Sequence, residues 1–245
     1  MDKQALLKQY LEGNRIFHHV DIRGIKFEQA ELTGADFSYA DLSGANLSGT
    51  NLSGTRFQQA NLRGADFSRA DLSGTNCQRA NLIGANLIGT NLDGADLSGA
   101  ILTDAKLRDT ELCRVCWSTP NPGQVVLARA DFSGAKFCGE NLSGIDFSRA
   151  NLKGTDFSRA NLSQANFNGA DLSFAKLHRA ILEGANLTDA DLRRANLSEA
   201  KLKGAILDGT DLSLANLTDV DLYGIDLQNA KCWGTMMPGK SSYPL

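Results

Sequence analysis

The sequence predicts an all-β chain, a four-sided parallel β-helix with a short α-helix capping its N-terminal end. Three observations carry this reading. Leu or Phe occupies 39 of 42 positions spaced five apart, from Phe17 to Leu112 and again from Leu127 to Cys232. A small residue lies two places before most centres, Ala at 27 and Thr at 7 of the 42. Ten of the 11 Phe residues fall on these centres, and several recur ten apart, as Phe17, Phe27 and Phe37 do, and Phe137, Phe147, Phe157 and Phe167.

A period of five matches neither the 3.6 of an amphipathic helix nor the 2 of an alternating strand. Two inward residues spaced two apart fit a short extended piece in which the Asp or Asn between them points outward. The fifth residue, often Gly, turns the corner. Five-residue sides joined by corners wind into a coil, and stacked coils hydrogen-bond as parallel strands. The ten-residue Phe alternation places like above like only when the number of sides is even. Two sides enclose no core, whereas four do. Phe17, Phe37 and Phe57 then form one column, and Phe147 and Phe167 another.

The elements follow in order. Residues 1–14 hold a capping helix, with Asp2 as N-cap, Gly13 as stop, and Leu7, Tyr10 and Leu11 as the face that plugs the first coil. Residues 15–112 form the first repeat segment. Residues 113–126 break the motif with Pro120, Pro122 and Gly123, which do not suit an inner ladder strand, and read as a protruding loop. Residues 127–235 form the second segment and 236–245 a loose tail, all in one continuous solenoid. Large residues at the small position (Arg15, Val20, Ile25, Val125, Glu140, Ile145, Val220 and Ile225) mark irregular coils, and Glu140 is expected to turn outward at a distorted corner, because an inward carboxylate is costly. Ser residues after the centres read as solvated surface. Asp and Asn before them are expected to bond neighbouring backbone or one another in ladders. Trp233, Met236 and Met237 either cover the last coil or form a seam for a second copy.

The run Ala40-Asp41-Leu42-Ser43-Gly44-Ala45-Asn46-Leu47-Ser48-Gly49 resembles the A-(D/N)-L-x-x motif of pentapeptide repeat proteins, and the resemblance covers nearly the whole chain. It implies a right-handed, four-sided parallel β-helix of roughly 10 coils, on the order of 50 Å long at the spacing of parallel strands. Some members of that family resemble B-DNA in size and charge and bind type II topoisomerases.

Composition narrows the function. The 28 acids and 25 bases give a net charge of −3, too little basic excess for a nucleic-acid reader. B-DNA of that length carries about 30 charges, so a uniform DNA mimic is also disfavoured. No run of about 18 apolar residues exists to span a membrane, no secretory signal is evident, and the expected compartment is the cytoplasm. His18, His19 and His178 sit at outward positions far apart, and no activated nucleophile with a base can be assembled. The chain therefore reads as a non-enzyme without cofactor or metal. Cys77 and Cys232 are central and expected in the core, and Cys113 with Cys116 makes a lone C-x-x-C lacking further ligands. The expected partner is a protein, with the chain serving as scaffold or binding rod and a homodimer through the C-terminal end as a further option. Trp117 and Asn121 in the 113–126 loop are the first candidates for the contact. The alternative is a gyrase-directed DNA mimic acting through an acidic C-terminal end, where Asp208, Asp211, Asp219, Asp221 and Asp226 occur with no base between Lys203 and Lys231. Asp171, Asp191 and Asp211 are expected to stack in one column.

Overall fold

Residues 1–112, 114–117 and 125–239 are described in the computed structural model. They divide into two units, Met1–Val126 and Leu127–Leu245. Both are built from the same element. Single parallel bridges join residues 20 apart, Ile16 to Asp36, Asp36 to Arg56 and Arg56 to Asn76 in the first unit, and Asp131 to Asn151, Asn151 to Asp171 and Asp171 to Asp191 in the second. Twenty residues are four pentads, so each coil has four sides.

One pentad shows why five residues suffice. The Asp41 N–H donates to the Val20 carbonyl of the coil below at 2.9 Å, while Leu42 and Gly44 donate to Asn61 and Arg63 of the coil above, both at 2.8 Å. The Ala45 N–H closes a four-residue turn on the Leu42 carbonyl at 2.9 Å. The remaining donor, the Ser43 N–H, has no ladder partner and goes to the Asp41 carboxylate at 2.9 Å. All five donors are thereby satisfied, as buried backbone requires. This is the physical reason for Asp or Asn before each centre: the side chain stands in for a missing strand. The same side chains also bond along the stack, Asn61 Nδ2 to Asp41 Oδ1 at 3.1 Å and Asn166 Nδ2 to Asp146 Oδ1 at 3.0 Å. Both expected roles are present.

The third residue of most described turns has positive φ, as in type II turns. Glycine is free there, yet 19 non-glycine residues adopt it, which sets up the surface described below. Inside, the Leu, Phe and Ala layers are almost wholly buried. The expected Phe columns stack, Phe17–Phe37 at 5.4 Å, Phe37–Phe57 at 5.7 Å and Phe147–Phe167 at 5.2 Å between centroids. Adjacent columns meet edge to face, as Phe147 and Phe157 do at 5.7 Å and 74°. Threonine at the small position is tolerated because its hydroxyl finds a carbonyl, Thr50 that of Phe27 at 2.8 Å and Thr155 that of Phe132 at 2.9 Å.

Several expectations are corrected. The helix α1 spans Lys3–Leu11, and the Asp2 carboxylate caps it by accepting the Ala5 N–H at 2.8 Å. Its buried residues are Leu6 and Tyr10; Leu11 is 83% exposed and Leu7 half-buried. The rotation is set by tertiary contacts. The Tyr10 hydroxyl donates to the Thr33 carbonyl at 2.9 Å, and the Arg15 guanidinium lies 3.9 Å from the Tyr10 ring centroid. Val125, Ile145 and Val220 are buried, and the coils at Val125 and Val220 are irregular as expected: Val126 pairs with Ile101 at an offset of 25, and among the described residues no bridge joins Lys201 to Asp221. Glu140 is half-buried at a regular corner: its N–H closes the turn on Phe137 at 3.2 Å, and its carbonyl accepts from Asn161 at 2.8 Å. Burial pushes its carboxyl up to about 7. Ser38, Ser98 and Ser173 are buried, not solvated.

Candidate interaction surface

Trp117 does not lie on a protruding loop. Residues 114–117 continue the repeat, with Asp96 bridged to Cys116 and the Cys116 N–H on the Ala95 carbonyl at 2.9 Å. Trp117 is five residues beyond Leu112, takes a core position and is 3% exposed, which removes it as a surface anchor. The ladder resumes with Ile101 paired to Val126, an offset of 25 residues, so the register modulo five survives. Asn121 and Cys113 lie outside the described residues, and with Cys113 the C-x-x-C motif. Among the other cysteines, Cys77 is buried and desolvation raises its thiol to about 12, which keeps it inert. Cys116 and Cys138 are exposed, and Cys232 is only half-buried.

The C-terminal acids do not share a face. Asp208 and Asp226 flank centres of one column, Leu207 and Leu227, whereas Asp211, Asp219 and Asp221 belong to the other three sides. The expected Asp171–Asp191–Asp211 column forms, through bridges between neighbours. It is not a bare acidic stripe. Arg193 grips Asp191 at 2.6 Å, and Lys231 is bridged beside Asp211. For Asp211, burial opposes ionisation, but hydrogen bonds from Ser213 and the Lys231 charge hold its carboxyl below the usual range.

The ladder breaks where Val220 and Ile225 take the small position, one residue before Asp221 and Asp226, as expected of irregular coils. Among the described residues, the bridges that would continue the register from Lys201 to Asp221 and from Ile206 to Asp226 are absent, whereas Asp211–Lys231 and Asn216–Met236 form. The coils part on two sides there, leaving an open groove lined by Ile206, Asp208, Asp226 and Asn229. Asn229 Nδ2 donates across it to Asp208 Oδ1 at 2.7 Å. Beyond it the last pentads stay uncovered. Leu227 and Cys232 are half-buried, Trp233 is 75% exposed and Tyr223 74%. Trp233 and Met236 therefore do not cover the last coil.

A second surface lies along one corner of the second unit. Phe174, the single Phe off the five-residue centres, turns this corner at φ 61° and is 48% exposed. Arg194 stands over its ring at 5.5 Å and Lys153 at 5.7 Å. Arg194 takes the same corner one coil further and Leu214 two coils further, at φ 60° and 63°. The sequence signal was available: a bulky apolar residue in the place that glycine usually holds.

In the first unit, Asp36 gathers the polar groups with the most distinctive chemistry. His18 Nε2 lies 2.9 Å from its Oδ2, and the Ser38 hydroxyl donates to its Oδ1 at 2.6 Å. Burial would raise this carboxyl, but the hydrogen bonds from His18 and Ser38 hold it down at about 2. The serine and the imidazole both face the carboxylate rather than each other, so the imidazole is not placed to take the hydroxyl proton. Among the described residues no His/Cys/Asp/Glu group could hold a metal ion, and no helix is long and apolar enough to cross a membrane.

Pentapeptide repeats match in eight copies, between residues 16 and 116 and between 126 and 231. HetL of the cyanobacterium Nostoc sp. strain PCC 7120, a pentapeptide repeat protein involved in heterocyst differentiation regulation, is 34% identical, with 97% of this chain and 93% of that chain covered and a TM-score of 0.54. A pentapeptide repeat protein of the Arabidopsis thaliana thylakoid lumen is also 34% identical, over 44% of this chain and 70% of its own, with a TM-score of 0.32. QnrB1, a plasmid-mediated fluoroquinolone resistance protein, is 19% identical over 92% of this chain and 93% of its own, with a TM-score of 0.35. No curated protein sequence matches the chain. The residue pattern, the 20-residue bridges, the repeat-family match and the likeness to HetL agree, and the chain belongs to the pentapeptide repeat family.

Proposed function

We propose that this right-handed solenoid is a non-enzymatic, cytoplasmic scaffold that binds another protein through its second unit. The reading is carried by the Trp233 indole, 75% exposed beside the exposed Met236, where the last core residues are only half-buried. Tryptophan is a strongly favoured contact anchor, and leaving it in water without a partner is unfavourable. HetL, the similar protein that takes part in a regulatory process, supports a role through contacts rather than chemistry. The dispersal of the C-terminal acids and the Arg193 and Lys231 beside the aspartate column weigh against the gyrase-directed alternative.

The test is photo-crosslinking in the native host, with a photoreactive amino acid replacing Trp233 and, as control, Arg63 on an exposed side of the first unit. A discrete adduct from position 233 that is absent from position 63 is expected. No adduct, or the same adducts from both positions, overturns the reading. An adduct of twice the chain's own mass reassigns the end to self-pairing.

A further inference from the structure

We infer that the corner formed by Lys153, Phe174, Arg194 and Leu214 is a docking strip for an acidic peptide segment carrying an apolar anchor residue. This rests on the reading of the second unit as a protein-binding surface and names the chemistry of the partner.

The corner is built against local preference. Its residues have φ between 60° and 63° at Phe174, Arg194 and Leu214, a region where glycine is unstrained and a bulky side chain is disfavoured. At some corners a long side chain is followed by glycine one coil above, as with Gln29 and Gly49 or Arg149 and Gly169, and lies over it. At others non-glycine residues follow one another but are mostly polar and engage each other, His19 stacking on Tyr39 at 5.0 Å before Gln59 and Arg79, and Arg179 pairing with Glu199 at 2.8 Å between Arg159 and Asp219. Here three non-glycine residues follow one another, and only the last meets glycine: Leu214 Cδ2 sits 2.8 Å from where a Cβ on Gly234 would stand. Exposed apolar area at two of three successive positions of one corner, beside two cations, points to use of the surface.

The charges select the occupant. Among the described residues neither Lys153 nor Arg194 forms an ion pair; both face the Phe174 ring, and together they leave two cations free beside an exposed phenyl face. The acids on the adjoining side are engaged, Asp191 by Arg193 and Asp171 by the Ser173 N–H at 2.9 Å. An acidic side chain reaching Lys153 or Arg194 while an apolar neighbour covers Phe174 or Leu214 satisfies both features. A nucleic-acid strand fits less well, because its continuous phosphates would pass along the Asp171, Asp191 and Asp211 column.

The experiment is selection of a random peptide library on the immobilised full chain, followed by fluorescence anisotropy of the enriched, labelled peptides. Enriched peptides are expected to be acidic with at least one aromatic or large aliphatic residue. Phe174→Ser and Arg194→Glu should each weaken their binding tenfold or more, and both variants should keep the parent's circular dichroism and melting profile because the side chains are exposed. Enrichment of neutral or basic peptides overturns the inference, as does binding indifferent to both substitutions, or tighter binding of an oligothymidylate than of any peptide. Peptides whose binding falls with Trp233→Ser but not with the corner substitutions overturn this inference while leaving the scaffold reading intact. No enrichment together with no crosslink from position 233 overturns both.

Discussion

The N-terminal end of the first unit and the C-terminal end of the second face the same problem and treat it in opposite ways. Among the described residues, each terminal coil has apolar core residues with no further coil stacked on them. In the first unit α1 supplies the cover: Leu6 is fully buried, and the Tyr10 hydroxyl bonds the backbone of the coil at Thr33. In the second unit Leu227 and Cys232 stay half-buried, Trp233 and Met236 are exposed, and the ladder beneath opens on two sides. A solenoid's stability is nearly a sum over neighbouring repeats, so an uncovered end forfeits one interface. The difference teaches that an end is not merely a fold problem. One is sealed at the cost of ordering an extra helix, and the other leaves Trp233 and Met236 exposed.

The largest effect follows from breaking the seal. Leu6→Ala should cost about 2–5 kcal/mol, the usual range for a fully buried leucine. Leu227→Ala, at the open end, should cost only about 1 kcal/mol, since less apolar area leaves water there on folding. Urea unfolding of the two variants, followed by hydrogen exchange of the terminal coils, checks both values. Equal losses would mean that the two ends are covered alike.

The contrast also shows where sequence reasoning reached and where it stopped. The period of five, the four sides, the Phe columns and the Asp2 cap were legible because each is a local or strictly repeated requirement. Which helix face packs was not. The choice of Leu6 over Leu11 is made by Tyr10 meeting Thr33 and by Arg15 covering the Tyr10 ring, contacts between residues of different elements. Trp117 keeps step with Leu112, but Pro120 and Pro122 interrupt the motif just after it and mask its core position in the sequence. The parting of the ladder at Asp221 and Asp226 was signalled by the large Val220 and Ile225 at the small position, but the groove that it opens was not. Phe174 was visible as the one phenylalanine out of step, but its meaning needed Arg194 and Lys153 placed on either side.

A smaller effect sharpens the comparison at the corners. Gly44, near the sealed end, has φ +65° and open space where a Cβ would stand. Gly209, near the open end, has φ +68° and lies under the Asp189 side chain, whose Cγ would be 3.3 Å from an added Cβ. Both Gly→Ala substitutions force an L-residue to positive φ, at about 1–2 kcal/mol. Gly209→Ala should lose a further ~1 kcal/mol through displacement of Asp189. Thermal unfolding of the pair, with Asp189→Ser combined with Gly209→Ala, checks this; the double variant should bring the loss at Gly209 back to that at Gly44.

The smallest effect separates the ends by pH. Asp36 near the sealed end has its carboxyl lowered from 3.8 to about 2: burial opposes the charge, and the hydrogen bonds from His18 and Ser38 outweigh it. Because the folded value lies below the unfolded one, the stabilisation is present above 3.8 and is lost as pH falls through about 2. Asp36→Asn keeps an oxygen to accept the Ser38 N–H, found at 3.0 Å, but has no charge to offer His18. The variant should therefore be less stable than the parent near neutral pH and should lose less on acidification. Asp211 near the open end is lowered too, and Asp36→Asn leaves it unchanged. Hydrogen exchange between about pH 5 and pH 2 should then show acid opening of the first coils flattened in the variant, while acid opening of the last coils proceeds as in the parent. Flattening at both ends would show that the units open together. Flattening at neither would show that the Asp36 charge contributes nothing to the sealed end.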